Sequence, residues 1–132
     1  MMVRWILLVT SMFLASCATL DSRPPEEVVA ERAGNHLEHL QRQEWDEAIK
    51  YTSKAFRSAH SSQDYAVMYR GSPSWLGVRV GAVECDAPDY TVCKVATYVT
   101  TKRPRFGYTN ERYRPRDWLF IDGNWYIYET MR

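Results

Sequence analysis

The sequence predicts an α+β domain, helices first and an antiparallel sheet after them, and three observations carry that reading. Apolar residues recur at helical spacing up to about residue 70, stretches rich in Val, Thr, Tyr and Trp follow from Trp75, and Asp122-Gly123 marks a tight turn between the last two of these. The 132 residues are 45% hydrophobic and 14% aromatic, enough for one packed domain. With 17 Lys+Arg against 16 Asp+Glu, nothing in the overall charge speaks for a nucleic-acid partner, and electrostatic recognition has to be local.

The first stretch precedes the domain. Arg4 leads into the apolar run WILLVTSMFLA, which is short for a bilayer span, carries polar Thr10 and Ser11, and is followed by small residues. Residues 1–16 therefore read as a targeting signal. Leu14-Ala15-Ser16-Cys17 resembles the lipobox of bacterial lipoproteins, where small residues before the cysteine let a peptidase take the backbone in extended form. The resemblance implies that Cys17 receives a diacylglyceryl group, that signal peptidase II cuts after Ser16, and that the chain is anchored to the membrane by lipid. Ala18, where Asp would favour retention in the inner membrane, is compatible with the outer membrane and the periplasm. Several acyl chains, at ~0.8 kcal/mol per buried methylene, make a nearly permanent anchor.

That compartment is oxidising, and Cys85 and Cys93, the two cysteines that remain, are expected to form a disulfide. Cleavage removes one Arg and leaves 16 basic and 16 acidic residues, a formally neutral mature chain. Residues 17–24 make a short tether. Its six residues from Ala18 to Arg23 span at most ~20 Å, which keeps the domain, 25–132, near the bilayer.

Pro24-Pro25 forbids continuation from upstream, and Pro25 suits a first helical turn with Glu26 and Glu27 at the positive end of the dipole. Val29, Ala33, Leu37 and Leu40 then give one amphipathic helix and Trp45, Ala48, Ile49 and Thr52 a second. A third starts at Ser61, with Asp64 at capping-box spacing and Gly71 as a stop. WLGVRVGAVEC, YTVCKVATYVTT, RDWLFID and NWYIYET read as four strands. With Cys85 facing Cys93, Glu84 falls opposite Lys94 and Val83 opposite Val95. Simple alternation then puts Leu76, Val78, Val80, Ala82, Ala96 and Tyr98 on the face away from the disulfide, the better candidate for packing on helices. A two-residue turn at Asp122-Gly123 puts Trp118, Phe120, Trp125 and Ile127 on one face.

The closing WLFIDGNWYIYE, with EWDEAIKYTSKAFRS ahead of it, resembles the nuclear-transport-factor-2-like (cystatin-like) superfamily, in which a curved sheet wraps a long helix. That fold hosts isomerases, dehydratases and binding modules, so it names no activity by itself. HLQRQEWDEAIKYTSKAF also resembles one tetratricopeptide repeat, but about three repeats are needed to bury a repeat's face and strands follow here.

Chemistry is sparse. His36 and His39 stand three apart on the first helix without a third ligand, so no metal site is expected and the pair reads as a solvated face. His60, Asp64 and Tyr65 are the residues a pocket enzyme of isomerase or lyase type would have available, but their spacing demands no catalysis and no cofactor. Tyr98, Trp118, Phe120, Trp125 and Tyr126 would line a ligand pocket or form core. The least ordinary stretch is TKRPRFGYTNERYRPR, where Lys102, Arg103, Arg105, Arg112, Arg114 and Arg116 face one acid, Glu111, with aromatics between them. Such a set suits carboxylates, phosphates or sugar faces, or else keeps a sheet edge soluble. The expected activity is non-catalytic binding, with an anionic lipid, a glycan or an envelope protein as partner.

Overall fold

The computed structural model describes residues 21–131. The signal segment, the lipobox and Cys17 lie outside them. Helix α1 runs Pro25–Gln41 with Pro25 in its first turn and Glu26 and Glu27 beside it, as the sequence predicts. Its stripe of Val29, Ala33, Leu37 and Leu40 is buried, at ~1.5–3 kcal/mol for each large side chain. His36 is buried with them.

The second helical stretch is broken. Helix α2, Trp45–Ala48, passes into a 3-10 turn over Ile49–Tyr51, and helix α3, Lys54–Ala59, starts afresh. Ser53 accounts for the break, because its hydroxyl accepts the Phe56 N–H and caps the new helix. Thr52 leaves the helical path and bridges to Ile127 of the last strand. Helix α4, Ser62–Met68, opens on the expected capping box between Ser61 and Asp64.

Four strands follow as an antiparallel meander, β1 Trp75–Cys85, β2 Val92–Lys102, β3 Thr109–Ile121 and β4 Asn124–Ile127. Cys85 and Cys93 are joined, with Glu84 opposite Lys94 and Val83 opposite Val95. The face that packs on the helices is the one that carries the disulfide, not the one away from it. Cys93, Val95, Thr97 and Val99 turn to the helices, whereas Ala96 and Tyr98 turn away with Leu76 and Ala82. Val78 and Val80 also change face, because a bulge between Val80 and Val83 re-phases β1 and puts them on the same inner face as Val83 and Cys85.

The expected turn is present, with Asp122 and Gly123 both at positive φ and Ile121 opposite Asn124. Trp118, Phe120, Trp125 and Ile127 share the inner face accordingly. β3 starts well before the predicted RDWLFID, because the basic stretch from Thr109 onward is strand, paired with β2 up to Lys102 opposite Thr109. Only its end, Trp118 to Ile121, is paired with β4. The carbonyl of Asp117 turns outward to accept the Tyr128 N–H, and two residues earlier Pro115 faces the same open edge, where a missing N–H removes no ladder bond.

Two clusters fill the space between α1 and the sheet. Val29 and Ala33 pack with Cys93, Val95, Trp118, Trp125 and Ile127 at one end. Leu37 and Leu40 pack with Tyr65, Tyr69, Trp75 and Val99 at the other. The Arg32 side chain fastens helix to sheet by donating to the Trp125 carbonyl at 2.8 Å.

Candidate functional site

Strict alternation along β3 sends Arg112, Arg114 and Arg116 to the inner face, opposite Val99, Thr97 and Val95. Arg114 and Arg116 are half-buried there. The Arg114 guanidinium lies 5.9 Å from the Trp75 ring and that of Arg116 5.9 Å from the Tyr69 ring, distances at which a cation is attracted to the ring face. Both arginines line an inner cavity with His36, Tyr69, Trp75 and Trp118, and both line an open groove with Arg70, Ser72, Thr130 and Met131. The cavity holds about 10 Å³, the limit for one water molecule, whereas the groove opens to about 740 Å³. No Asp or Glu lines either.

Behind the arginines runs a buried polar chain. Nε2 of His36 bonds the Tyr65 hydroxyl at 2.7 Å, Tyr65 donates to Oε1 of Glu129 at 3.0 Å, and Tyr69 donates to the same oxygen. Desolvation, with the nearby charge of Arg116 adding to it, pushes His36 down to about 3, so the imidazole is neutral. Burial raises Glu129 above the ordinary carboxylate range, against the opposing pull of Tyr69, Arg116 and Tyr65. Burial also raises both tyrosines. Oε2 of Glu129 and Nε1 of Trp118 are buried without a protein partner. This chain has the parts of an acid–base relay, yet the cavity beside His36 leaves no space for a substrate.

His36 is not solvated but 1% exposed, while His39 points elsewhere and pairs with Glu44. The signal was present in the spacing, since His36 falls on the same stripe as Ala33 and Leu40. Glu129 and Tyr69 were missed as members of one site with Tyr65. Tyr65 and Tyr69 stand one helical turn apart, which hinted at a shared face, but nothing local pointed to Glu129 about sixty residues on. Of the other two residues open to an enzyme, Asp64 caps α4 and His60 stacks on Phe56 at 4.5 Å.

The aromatic group does not form one pocket. Trp118 and Trp125 are core, and Phe120 stacks on Trp125 at 5.1 Å but stays 44% exposed at the sheet end. Tyr98 is on the outer face, under the Arg79 guanidinium at 3.8 Å and beside Tyr113 at 5.5 Å. The basic stretch is likewise divided: Lys102, Arg103 and Arg105 lie at the β2–β3 turn, away from the groove. Among the described residues no group of three His, Cys, Asp or Glu is placed to hold a metal, and no helix is long and apolar enough to cross a membrane.

Neither a protein-family model nor a curated protein matches the chain. Among solved structures, it is similar to a SEC-C motif containing protein from Rhodopseudomonas palustris, determined in solution. The two are 14% identical with a TM-score of 0.55, over 80% of this chain and 77% of the other. At that identity the likeness bears on the fold alone, helices against a four-stranded antiparallel sheet.

Proposed function

We propose that this chain is a lipoprotein of the bacterial envelope, anchored through Cys17 at the outer membrane and facing the periplasm, whose domain binds an anionic ligand without catalysis. The domain belongs, in this reading, with the nuclear-transport-factor-2-like folds, which its long first helix, one-sided helical cover and Trp-containing last hairpin support. The lipobox supports the anchor. One observation carries the ligand class: Arg70, Arg114 and Arg116 converge on one groove whose lining holds no carboxylate. Guanidinium groups meet carboxylate or phosphate oxygens through paired hydrogen bonds, and the Trp75 and Tyr69 rings beside them hold the side chains in place.

Binding is favoured over an isomerase or lyase because the only buried acid–base chain described above opens on a cavity the size of one water. A competing enzyme would have to use His36 or Glu129. The test titrates the full chain with inorganic phosphate and with citrate at low salt, following side-chain NMR signals of Arg70, Arg114, Arg116 and Trp75. Arg114→Gln with Arg116→Gln should weaken binding at least about tenfold, a hydrogen bond to a charged group contributing ~1.5–3 kcal/mol, with unchanged near-ultraviolet circular dichroism. Unmoved groove signals in the wild type would overturn the reading.

A further inference from the structure

The cations that the groove leaves unused gather at the opposite extremity of the sheet from the domain's N-terminal end. Residues 103–108 form the turn between β2 and β3, closed by the Arg103 N–H on the Tyr108 carbonyl at 3.0 Å and the Gly107 N–H on the Arg103 carbonyl at 3.1 Å. Gly107 takes φ +67°, a conformation that suits glycine. Phe106 is 66% exposed and Tyr108 53%, their ring centroids 5.8 Å apart. Lys102, Arg103 and Arg105 are exposed around them. The nearest acid in sequence, Glu111, is occupied by Arg79 through two hydrogen bonds of 3.0 and 2.6 Å. The turn thus presents two rings and three cations to water with no carboxylate of its own.

We propose that this turn docks against an anionic lipid surface, with Phe106 and Tyr108 entering the interfacial layer and Lys102, Arg103 and Arg105 meeting the phosphates. A protruding turn has no hollow to enclose a small anion, and it lines neither the cavity nor the groove. A deformable surface can close around it, drying the Phe106 ring while the Tyr108 hydroxyl and the long basic side chains stay at the polar level. An acidic polysaccharide would meet the cations but give the ring less dry surface.

The position of the turn adds a geometric consequence. Asp21, Arg23 and Pro25 gather with Asp89, Tyr90 and Gly123 at the other end of the sheet, and the eleven residues of β2 separate the two ends by roughly 34 Å. With an anchor at Cys17, both ends reach one bilayer only if the domain lies along it. That orientation rests on the lipoprotein reading, whereas the docking does not.

The full chain, reconstituted into phosphatidylcholine vesicles with or without phosphatidylglycerol, tests this with an environment-sensitive fluorophore on Thr109→Cys. On the acidic vesicles alone the label should shift to the blue and become shielded from aqueous iodide, and about 1 M salt, where the screening length is ~3 Å, should reverse both changes. Lys102→Gln, Arg103→Gln and Arg105→Gln together should lower the preference for acidic vesicles on the order of 100-fold, at about fivefold per cation. Phe106→Ser should keep the salt dependence and lose the shielding. Equal emission on both vesicle types would overturn the proposal, and so would a response to soluble dextran sulfate but not to vesicles. A matching label on Asp89→Cys, together with co-flotation, reports anchoring separately, and the same responses in Arg114→Gln with Arg116→Gln separate the docking from anion binding in the groove.

Discussion

Burial keeps the His36 imidazole neutral down to about pH 3, whereas in the unfolded chain it takes a proton near 6.5. Below pH 6.5 the unfolded state therefore binds a proton that the folded state refuses, and stability falls with pH by up to ~1.4 kcal/mol per unit. Glu129 works in the opposite direction. Its folded pKa is raised, so the carboxyl costs stability above its unfolded value, and that cost fades as pH falls through the folded one. Urea midpoints should therefore drop between pH 7 and pH 5 in the wild type. They should flatten in His36→Gln, which keeps a hydrogen-bonding group beside Tyr65 but does not titrate, and steepen in Glu129→Gln. A wild-type slope preserved in His36→Gln would refute the assignment to His36. Neither residue announced this role in the sequence. His36 stands two residues before exposed Glu38, which belongs to the other side of α1, and what makes its burial tolerable is a hydroxyl 29 residues away.

Within single elements, the sheet was readable wherever a local constraint fixed it. The Cys85–Cys93 pair set the β1–β2 register, and Asp122-Gly123 set that of β3 and β4. The bulge in β1 had no such marker except Gly81, and its extra residue moved Val78 and Val80 to the face opposite the one inferred. Gly81 now has a definite task, because a Cβ there would stand 2.7 Å from Cε2 of Tyr98 and 3.3 Å from the Cβ of Ala96. Arg79 and Tyr113 hold that ring from two sides, so it cannot swing clear freely. Gly81→Ala should destabilise by ~1–3 kcal/mol, and adding Tyr98→Ala should restore part of the loss; strict additivity in chemical denaturation would contradict a steric cause. The disulfide, bridging a separation of eight residues, contributes roughly 2.5 kcal/mol by loop entropy. Cys85→Ser with Cys93→Ser should lower the midpoint accordingly, and reducing agent should then have no further effect. The short helix α3 was harder to foresee, since only the capping hydroxyl of Ser53 marks its start and the bridge from Thr52 depends on a distant strand at Ile127.

At the level of the whole chain, the proposed lipid anchor makes the simplest forecast. Cys17→Ser should leave the signal uncleaved by signal peptidase II and the protein without acyl chains, as mass spectrometry of the N-terminus and membrane fractionation would reveal. An unmodified N-terminus upstream of Cys17 in the wild type would remove the lipoprotein reading. The two-layer fold itself was legible, because helices and strands fall in separate halves of the sequence. The grouping of Arg70 with Arg114 and Arg116 was not, because it depends on a chain reversal that no local pattern specifies.

The bond from Arg32 to the Trp125 carbonyl spans 93 residues, and it sets an order of events during synthesis. The ribosome releases α1 first, but the surface that buries Val29 and Ala33 includes Trp118, Trp125 and Ile127, which are made last. The meander, by contrast, closes through neighbouring hairpins of short range. The N-terminal half of α1 is therefore the last part of it to be docked, and Val29 and Ala33 stay in need of shelter until translation is nearly complete, whereas Leu37 and Leu40 meet their partners earlier. Arrested nascent chains ending before Trp118 should leave the amides around Val29 and Ala33 open to hydrogen exchange, and their protection should appear only once β4 has emerged.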